Sequence, residues 1–347
     1  MSRGGPRRIA VAALALLGVA AVLAVFQPFA GDGGDPVRVV IPREAGVSDI
    51  AELLEERGVV QSGALFELRA TLGGERGDLK PGSYELREDM PYADVLDRLV
   101  AGPTRQIVRV TIPEGLSRRE ITPLVGRAGV TGDYPRASAG TELIDGRGWG
   151  VPAGAESLEG FLFPATYELR GGARAAALVR KQVTAFEQNI SRVDMSYARN
   201  KNLTVFDVVT IASMIEREVQ VPRERKLVAA VIYNRLKAGQ PLGIDATTRY
   251  ATGNWTRPLT RSDLALDSPY NTRTRAGLPP GPIGNPGLAS LEAAARPARV
   301  GYLYYVVKPD TCGEHAFSST DAEFARDQQR YNEARDAAGG KSPTKCP

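Results

Sequence analysis

Histidine and cysteine are scarce in this chain of 347 residues, which contains one histidine and two cysteines. Their scarcity excludes HExxH motifs and other clusters of histidine ligands for a metal. A Ser–His–Asp triad could use only His315, and no GxSxG segment supplies its nucleophile. Neither a P-loop nor a GxGxxG pattern opens a helix after a strand. We therefore expect no metal and no cofactor, and carboxylate chemistry is the class that remains.

The chain also lacks a strong excess of either charge. Its 44 basic and 40 acidic residues leave a net charge of +4, and no block of lysine or arginine stands in the body of the chain. An excess this small does not indicate a nucleic-acid partner, and we expect none.

The N-terminal segment has the pattern of a membrane anchor. Three arginines lie within residues 1–8, and residues 9–30 form an uncharged, largely apolar run. A helix of this length can cross a hydrocarbon core about 30 Å thick. The arginines before the run, and the aspartates of the linker 31–36 after it, indicate a cytoplasmic N-terminus. We expect a single-pass helix; a cleaved signal peptide is the alternative, and both place the remaining chain outside the cytoplasm.

Beyond the linker, the pattern predicts an α+β chain in three parts. Residues 37–104 read as strand, two helices, strand and a third helix, which together form a small module. Residues 105–156 read as a connecting strand–helix subdomain, whose "VTIPEGLSRREITPLV" echoes the earlier "VVIPREAGVSDIAELL" as a weak repeat or by chance. Residues 157–347 read as a predominantly helical domain with small β elements and long loops. There, Cys312 and Cys346 could form a disulfide or remain free thiols.

The segment "IASMIEREVQVPRERKLVAAVIYNRL" predicts two helices, the first of which ends in Glu216 and Glu218. Bulky apolar residues at i−3, i−4 and i−7 share the helical face of Glu218. Burial on that face raises the pKa of a carboxyl group and suits it to general acid catalysis. Glu216 lies roughly 200° around the helix, so the two acids should not share a site.

An ordinary helix end is the other interpretation of Glu218. Its carboxylate could pair with Arg223 or Arg225, in which case it would have no chemical role. Pro222 suits the first turn of the second helix, and the break before it should open a cleft beside Glu218.

Five motifs, in order, are similar to those of the endolytic murein transglycosylase family, also called YceG-like. They are "ASMIEREV", "VAAVIYNRL", "DATTRYATG", "SPYNTR" followed by "GLPPGPIGNPG", and "YLYYVV". The resemblance implies a transmembrane anchor at 9–30, a LysM-like module at 37–104 and a lysozyme-like catalytic domain at 157–347 outside the cytoplasm. The match is loosest around the LysM-like module.

The resemblance also implies an activity. Members of this family cleave the MurNAc–GlcNAc β-1,4 bond within peptidoglycan strands, leave a 1,6-anhydro-MurNAc end and so terminate nascent strands. We assign the essential acid to Glu218, because lysozyme-like transglycosylases end the corresponding helix with "IRQES", which aligns the second glutamate; Glu216 is the second choice. Implied partners are peptidoglycan, the bacterial inner membrane and peptidoglycan synthases.

The loops rich in Tyr, Asn and Thr are expected to form the sugar groove. Tyr270 could stack on a pyranose ring, and Asn271 and Asn285 could hydrogen-bond N-acetyl groups. Asp245 is the second acid that we expect near the substrate. Turn or cap roles are the alternative for Asp245 and for both asparagines, and a structural or groove-side position for His315. A non-catalytic murein-binding or scaffold protein of the elongation or division machinery is the competing class of function.

Overall fold

A computed structural model describes residues 5–27, 31, 33–103 and 107–346, with only the backbone described for residues 5–13. The chain divides into two compact units, Met1–Gln106 and Ile107–Pro347. Mixed helix and sheet occur in both, which agrees with the predicted α+β class. The predicted boundaries at 104 and 156 stay predictions.

The first helix, α1, spans Gly5–Phe26. Among the residues that the structure describes, no helix is sufficiently long and apolar to qualify as a membrane span. Residues 28–30 of the predicted anchor, and the side chains of 9–13, lie outside the described part, as do residues 1–4 of the predicted cytoplasmic segment. The membrane anchor therefore stays a prediction.

The first unit continues as a small α+β module with the predicted element order. Its elements are β1 (Pro36–Ile41), α2 (Val47–Glu56), α3 (Gly63–Leu72), β2 (Gly82–Arg87) and α4 (Tyr92–Ala101). The two strands pair antiparallel from Pro36 opposite Arg87 to Ile41 opposite Gly82. Alternate residues of β1 face the helices, so Val39 is fully buried against a core that includes Leu54. Its LysM-like identity stays a prediction.

The second unit contains ten helices and four strands within its described residues. They are β3 (Ile107–Thr111), α5 (Arg118–Arg127), α6 (Tyr134–Ala137), β4 (Thr166–Arg170), α7 (Ala175–Ile190), α8 (Ser196–Arg199), α9 (Val205–Glu218), α10 (Arg225–Lys237), α11 (Asp245–Thr252), α12 (Arg261–Leu264), α13 (Leu288–Ala295), β5 (Tyr304–Val307), β6 (His315–Ser318) and α14 (Asp321–Ala337). β3 pairs antiparallel with β4, and β5 with β6. One hydrophobic core contains residues from both sides of position 156.

Helix α9 is the central element of this unit. Its start is fixed by a capping box: the Thr204 hydroxyl accepts from the Asp207 N–H at 3.2 Å, and Asp207 accepts from the Thr204 N–H at 2.8 Å. Every residue from Val208 to Ile215 is buried, so burial extends around the whole helix there. A 3₁₀ turn at Pro222–Glu224 then leads into α10. The break between the two helices therefore lies where the sequence predicts it.

Cys312 and Cys346 form a disulfide, one of the two alternatives left open by the sequence. The bond joins the β5–β6 turn to the segment after α14. Two backbone hydrogen bonds run beside it, from Asp310 N–H to Pro343 C=O and from Lys345 N–H to Thr311 C=O, both 3.0 Å long. The chain on both sides of α14 is therefore attached to the β5–β6 hairpin.

Replacing both cysteines with serine should lower the free energy of unfolding by about 2–4 kcal/mol. The disulfide closes a loop with a sequence separation of 34 residues, and opening it enlarges the unfolded ensemble. Urea denaturation of the exported part of the chain measures the loss. A reducing agent should destabilise the wild type by a similar amount and leave the double variant unchanged. Equal urea midpoints for the two proteins would contradict the prediction.

Candidate active site

Glu218, the last residue of α9, lies on the wall of a cavity of about 610 Å³. The cavity is bounded by the end of α9, the start of α11, the β5–β6 hairpin and one face of α14. Its lining residues are Glu218, Arg235, Leu242, Gly243, Asp245, Arg273, Tyr305, Val306, Val307, His315, Phe324, Gln328, Tyr331, Asn332 and Arg335. Within the described chain, Glu218 and Asp245 are the only carboxylates of this lining.

The carboxyl group of Glu218 accepts one hydrogen bond on each oxygen. Ala246 N–H, in the first turn of α11, donates to Oε1 at 3.4 Å, and the Tyr305 hydroxyl donates to Oε2 at 3.2 Å. Burial also raises the pKa of Tyr305 well above its ordinary value, so its hydroxyl keeps its proton at neutral pH. Both neighbours are neutral donors, and the carboxyl group can exchange a proton without breaking an ion pair.

Burial raises the pKa of Glu218 to about 7, and the negative charge of Asp245 contributes in the same direction. The hydrogen bonds from Ala246 and Tyr305, and the charge of Arg273, oppose that rise. At neutral pH the group is therefore divided between its acid and its base form. This balance suits a residue that must both donate and accept a proton.

Glu216 lies in a different environment. Its Oε2 accepts the N–H of Gly287 at 2.9 Å, at the start of α13, and its Oε1 lies 3.6 Å from Arg225 Nη2. Its side chain is 7% exposed, and it does not line the Glu218 cavity. Its contacts are those of a helix cap and an ion pair, and they give no support to Glu216 as the acid.

The alternative that pairs Glu218 with Arg223 or Arg225 is wrong. Arg225 lies against Glu216, and Arg223 binds Glu314 of the β5–β6 hairpin. Both arginines are thus engaged elsewhere, and the Glu218 carboxyl is left to its neutral donors.

Asp245, the first residue of α11, lines the same cavity as Glu218. Its Oδ1 accepts the Nε–H of Arg273 at 2.8 Å, and its side chain is 47% exposed. The structure therefore brings together two of the predicted site residues. The role of Asp245 toward a substrate stays a prediction.

The motifs "DATTRY" and "SPYNTR" contact each other directly, and this contact positions Asp245 and Arg273. The hydroxyls of Thr247 and Thr272, both buried, lie 2.9 Å apart, and the Ile244 N–H donates to Thr272 Oγ1 at 3.0 Å. Because Thr272 precedes Arg273 in the chain, these bonds hold the Arg273 side chain beside the start of α11. This placement brings the Arg273 guanidinium against the Asp245 carboxylate, and the two form an ion pair.

Asn271 is fully buried beneath the loop, where its side chain is occupied by backbone groups. Its Nδ2 donates to the carbonyls of Leu264 and Leu266 at 3.0 and 2.9 Å, and its Oδ1 accepts the Arg273 N–H at 3.1 Å. The prediction that it binds an N-acetyl group is not supported, because the amide closes a turn and does not line the cavity.

Asn285 is likewise fully buried. Its Nδ2 donates to Leu116 C=O at 2.9 Å and to Glu159 Oε1 at 3.0 Å, and its Oδ1 accepts the Leu162 N–H at 2.9 Å. These bonds join three segments that are distant in sequence. They engage both the oxygen and the nitrogen of the amide and give no support to the predicted sugar contact, which stays a prediction.

Asn285→Ala should lower the free energy of unfolding by about 2–3 kcal/mol. The substitution leaves the buried Leu162 N–H without its acceptor and removes one donor from Glu159. Asn189→Ala is the matched control, because that amide donates a single bond to a carbonyl of its own helix and should cost less than about 0.5 kcal/mol. A raised KM for glycan with unchanged stability would instead support the original prediction for Asn285.

Tyr270 is half-buried, and its ring centroid lies 5.0 Å from that of Tyr250. It does not line the cavity that contains Glu218. Stacking of Tyr270 on a sugar stays a prediction, which the structure does not connect to the candidate acid.

Glu159, in "SLEGFLF", is a second buried acid that the sequence analysis missed. Burial raises its pKa to about 7, against the hydrogen bonds that it accepts from the Arg118 N–H at 3.1 Å, Tyr250 at 3.2 Å and Asn285. The signal available in the sequence was an acidic residue within a largely apolar segment, which indicates a buried carboxyl group. Because its three donors come from separate segments, we assign it to the packing of these loops.

Comparison with known proteins gives one family. The model of the YceG-like family matches residues 39–330. The endolytic murein transglycosylase of Bacillus subtilis is 29% identical over 322 residues, which cover 88% of this chain and 88% of that protein. The endolytic murein transglycosylase of Streptococcus pneumoniae R6 is 31% identical over 315 residues, which cover 82% of this chain and 56% of that protein.

One solved structure extends this similarity to the fold. The crystal structure of a putative YceG-like protein from Listeria monocytogenes is 29% identical in sequence and superimposes with a TM-score of 0.54. The alignment covers 84% of this chain and 98% of that one. Since the family model spans most of the sequence, the chain belongs to the YceG-like family.

Proposed function

We propose that the protein is an endolytic lytic transglycosylase that cleaves the MurNAc–GlcNAc β-1,4 bond of peptidoglycan. The observation that carries the proposal is Glu218, a half-buried carboxyl group with a pKa of about 7 on the wall of a 610 Å³ cavity. Two relatives similar over most of this chain are named endolytic murein transglycosylases, which supports the same assignment.

Cleavage begins with proton donation by Glu218. The protonated carboxyl gives its proton to the glycosidic oxygen as the bond to C1 of MurNAc breaks and an oxocarbenium-like centre forms. Tyr305 and Ala246 donate to the two carboxyl oxygens, and they stabilise the carboxylate that remains after donation.

The second step returns the proton. The Glu218 carboxylate accepts the proton of the C6 hydroxyl of MurNAc as that oxygen attacks C1, which gives the 1,6-anhydro end. A hydrolase would need a second free carboxylate as base or nucleophile. Asp245, the other acid of the cavity, is bound by Arg273, and this engagement favours the single-acid transglycosylase.

We also propose that α1 anchors the protein in the bacterial inner membrane, with the catalytic unit outside the cytoplasm. The apolar side chains of Leu14, Leu16 and Leu17 are 69%, 71% and 67% exposed, and they suit contact with lipid better than with water. An anchored enzyme would act near the membrane, where nascent strands are made, and it could terminate them beside peptidoglycan synthases.

Product analysis tests the activity. The purified protein, incubated with sacculi, should release fragments that end in 1,6-anhydro-MurNAc and are lighter by one water than their reducing-end counterparts. Fragments with reducing ends would make the protein a hydrolase. Binding to sacculi without release of fragments would support the murein-binding or scaffold alternative.

A further inference from the structure

His315 and Glu224 form a buried pair beside the Glu218 cavity. The two residues are 6% and 4% exposed. His315 Nδ1 lies 2.7 Å from Glu224 Oε2, and the His315 backbone N–H donates to Glu224 Oε1 at 3.1 Å. Glu224 ends the 3₁₀ turn before α10, and His315 begins β6. The carboxylate therefore holds both the ring and the backbone of the histidine.

This contact determines which ring nitrogen carries the proton in the neutral histidine. A carboxylate can only accept, so Nδ1 must donate, and Nε2 is left with a free lone pair. No residue of the described chain forms a hydrogen bond with Nε2. Nε2 is also not fully enclosed by the protein. It is therefore an accessible acceptor.

The histidine lies on the same cavity wall as the candidate acid. His315 lines the cavity together with Glu218 and Tyr305. The rings of His315 and Tyr305 meet edge to face, with centroids 5.2 Å apart, and the Tyr305 hydroxyl donates to Glu218. A substrate that reaches Glu218 in this cavity therefore passes close to the imidazole.

The arginines of the cavity are donors and cannot supply the acceptor role. Arg273 donates to Asp245, and Arg235 donates to backbone carbonyls that include Leu303 at 2.6 Å. A glycan strand presents many hydroxyl donors, which need acceptors in the site. In the neutral ring, Nε2 of His315 is an acceptor that is separate from the proton transfer of Glu218.

We propose that His315 binds a sugar hydroxyl through Nε2, with Glu224 as the positioning residue that fixes the ring and its proton. The proposal rests on the proposed function, because it takes a glycan strand as the occupant of the cavity. A purely structural histidine would need only its bond to Glu224, and Nε2 would then have no effect on binding.

A pair of substitutions separates these two roles. In His315→Asn, the amide reaches the position of Nδ1 and can keep the bond to Glu224, but nothing occupies the position of Nε2. In His315→Gln, the amide oxygen can reach the position of Nε2 and accept the hydroxyl. For cleavage of sacculi we expect KM to rise about fivefold in His315→Asn with kcat nearly unchanged, and less in His315→Gln. Thermal unfolding verifies that both variants are folded.

Binding to an inactive enzyme keeps this test independent of the chemistry. Glu218→Gln serves as the background, and soluble uncrosslinked glycan strands with their stem peptides serve as the probe in calorimetry. Adding His315→Asn should weaken binding about fivefold. Equal dissociation constants would overturn the proposal for His315. A wild type that releases no fragments, together with this weakening, would refute the transglycosylase but not the histidine contact.

Glu224→Gln tests the positioning role and replaces the asparagine variant if that one does not fold. The His315 backbone N–H can only donate, so the glutamine oxygen should face it and leave the NH₂ group toward Nδ1. That arrangement moves the ring proton to Nε2 and removes the acceptor. The sugar hydroxyl that donates to Nε2 would then have to turn and accept from it, so we expect severalfold weaker binding of the same strands in the Glu218→Gln background; unchanged binding would overturn the acceptor role proposed for Nε2.

Discussion

Glu218→Gln should lower the rate of glycan cleavage by about a thousandfold or more. The proposed mechanism uses this one carboxyl group first as acid and then as base, and each role contributes about 10²–10⁴ in rate. Glutamine has nearly the same shape: its amide oxygen can accept from the Ala246 N–H and its NH₂ group can donate to the Tyr305 hydroxyl, but it cannot deliver a proton. Quantification of anhydro-ended fragments released from sacculi measures the loss, and thermal unfolding checks that the variant is folded.

Glu216→Gln is the matched control on the same helix. It should cleave sacculi within a few-fold of the wild type, because Glu216 lies outside the cavity. Its free energy of unfolding should fall by about 1–3 kcal/mol, since a nearly buried carboxylate beside Arg225 is lost. A folded, inactive Glu216→Gln together with an active Glu218→Gln would reverse our assignment of the acid.

The two glutamates show what helical periodicity can and cannot predict. The predicted break at Pro222 follows from a local signal, the proline, and is confirmed; the start of α9 is also set locally, by the Thr204 capping box. The predicted separation of faces is less informative, because α9 is buried all around, and Glu216 is enclosed as well. What distinguishes the two acids is their partners, Arg225 and Gly287 against Tyr305 and Ala246, which come from other parts of the chain.

The asparagines show the limit of reasoning from residue type. Polar residues in a long loop predict a binding surface, but buried backbone groups in such loops also need partners. Asn285 meets this need for Leu162, which precedes it by 123 residues. Periodicity and composition carry no information about contacts of that range, so the sequence could not separate a sugar ligand from a structural amide.

The sequence also could not predict that α14 and the β5–β6 hairpin form a wall of the Glu218 cavity. The sequence predicts helices with small β elements over residues 157–347, and the structure contains β5 and α14 in this region. Their meeting at Glu218 depends on Tyr305, which lies 87 residues from that acid in the chain. The sequence predicts a structural or groove-side position for His315. Its contact with Glu224, 91 residues away in the chain, is a structural one, and its place in the cavity lining is a groove-side one.

Cleavage by the wild type should lose rate as the pH rises above about 7. Glu218 must be protonated to donate, and its pKa of about 7 means that the acid form disappears above neutrality. The alkaline limb of kcat/KM reports this group in the free enzyme. An enzyme whose kcat/KM stays constant from pH 6 to about 9 would exclude Glu218 as the proton donor.

Asp245→Asn should move that alkaline limb to lower pH. The charge of Asp245 raises the pKa of Glu218, so its removal lowers that pKa. The substitution also leaves Arg273 without its anionic partner, and the uncompensated guanidinium favours the ionised form of Glu218 as well. Both effects have the same sign, and at pH 8 the variant should be several-fold slower than the wild type while it approaches the wild-type rate near pH 5.5.

Arg273→Gln provides the opposite perturbation of the same cavity. Its positive charge lowers the pKa of Glu218, so its loss should move the alkaline limb to higher pH. The order of the limbs along the pH axis should therefore be Asp245→Asn, wild type, Arg273→Gln. Measurement of kcat/KM on sacculi at constant ionic strength gives this order.

If Asp245 were instead the nucleophile or base of a hydrolase, Asp245→Asn would lose activity at every pH by a factor comparable to Glu218→Gln, and no shift of the limb would describe it.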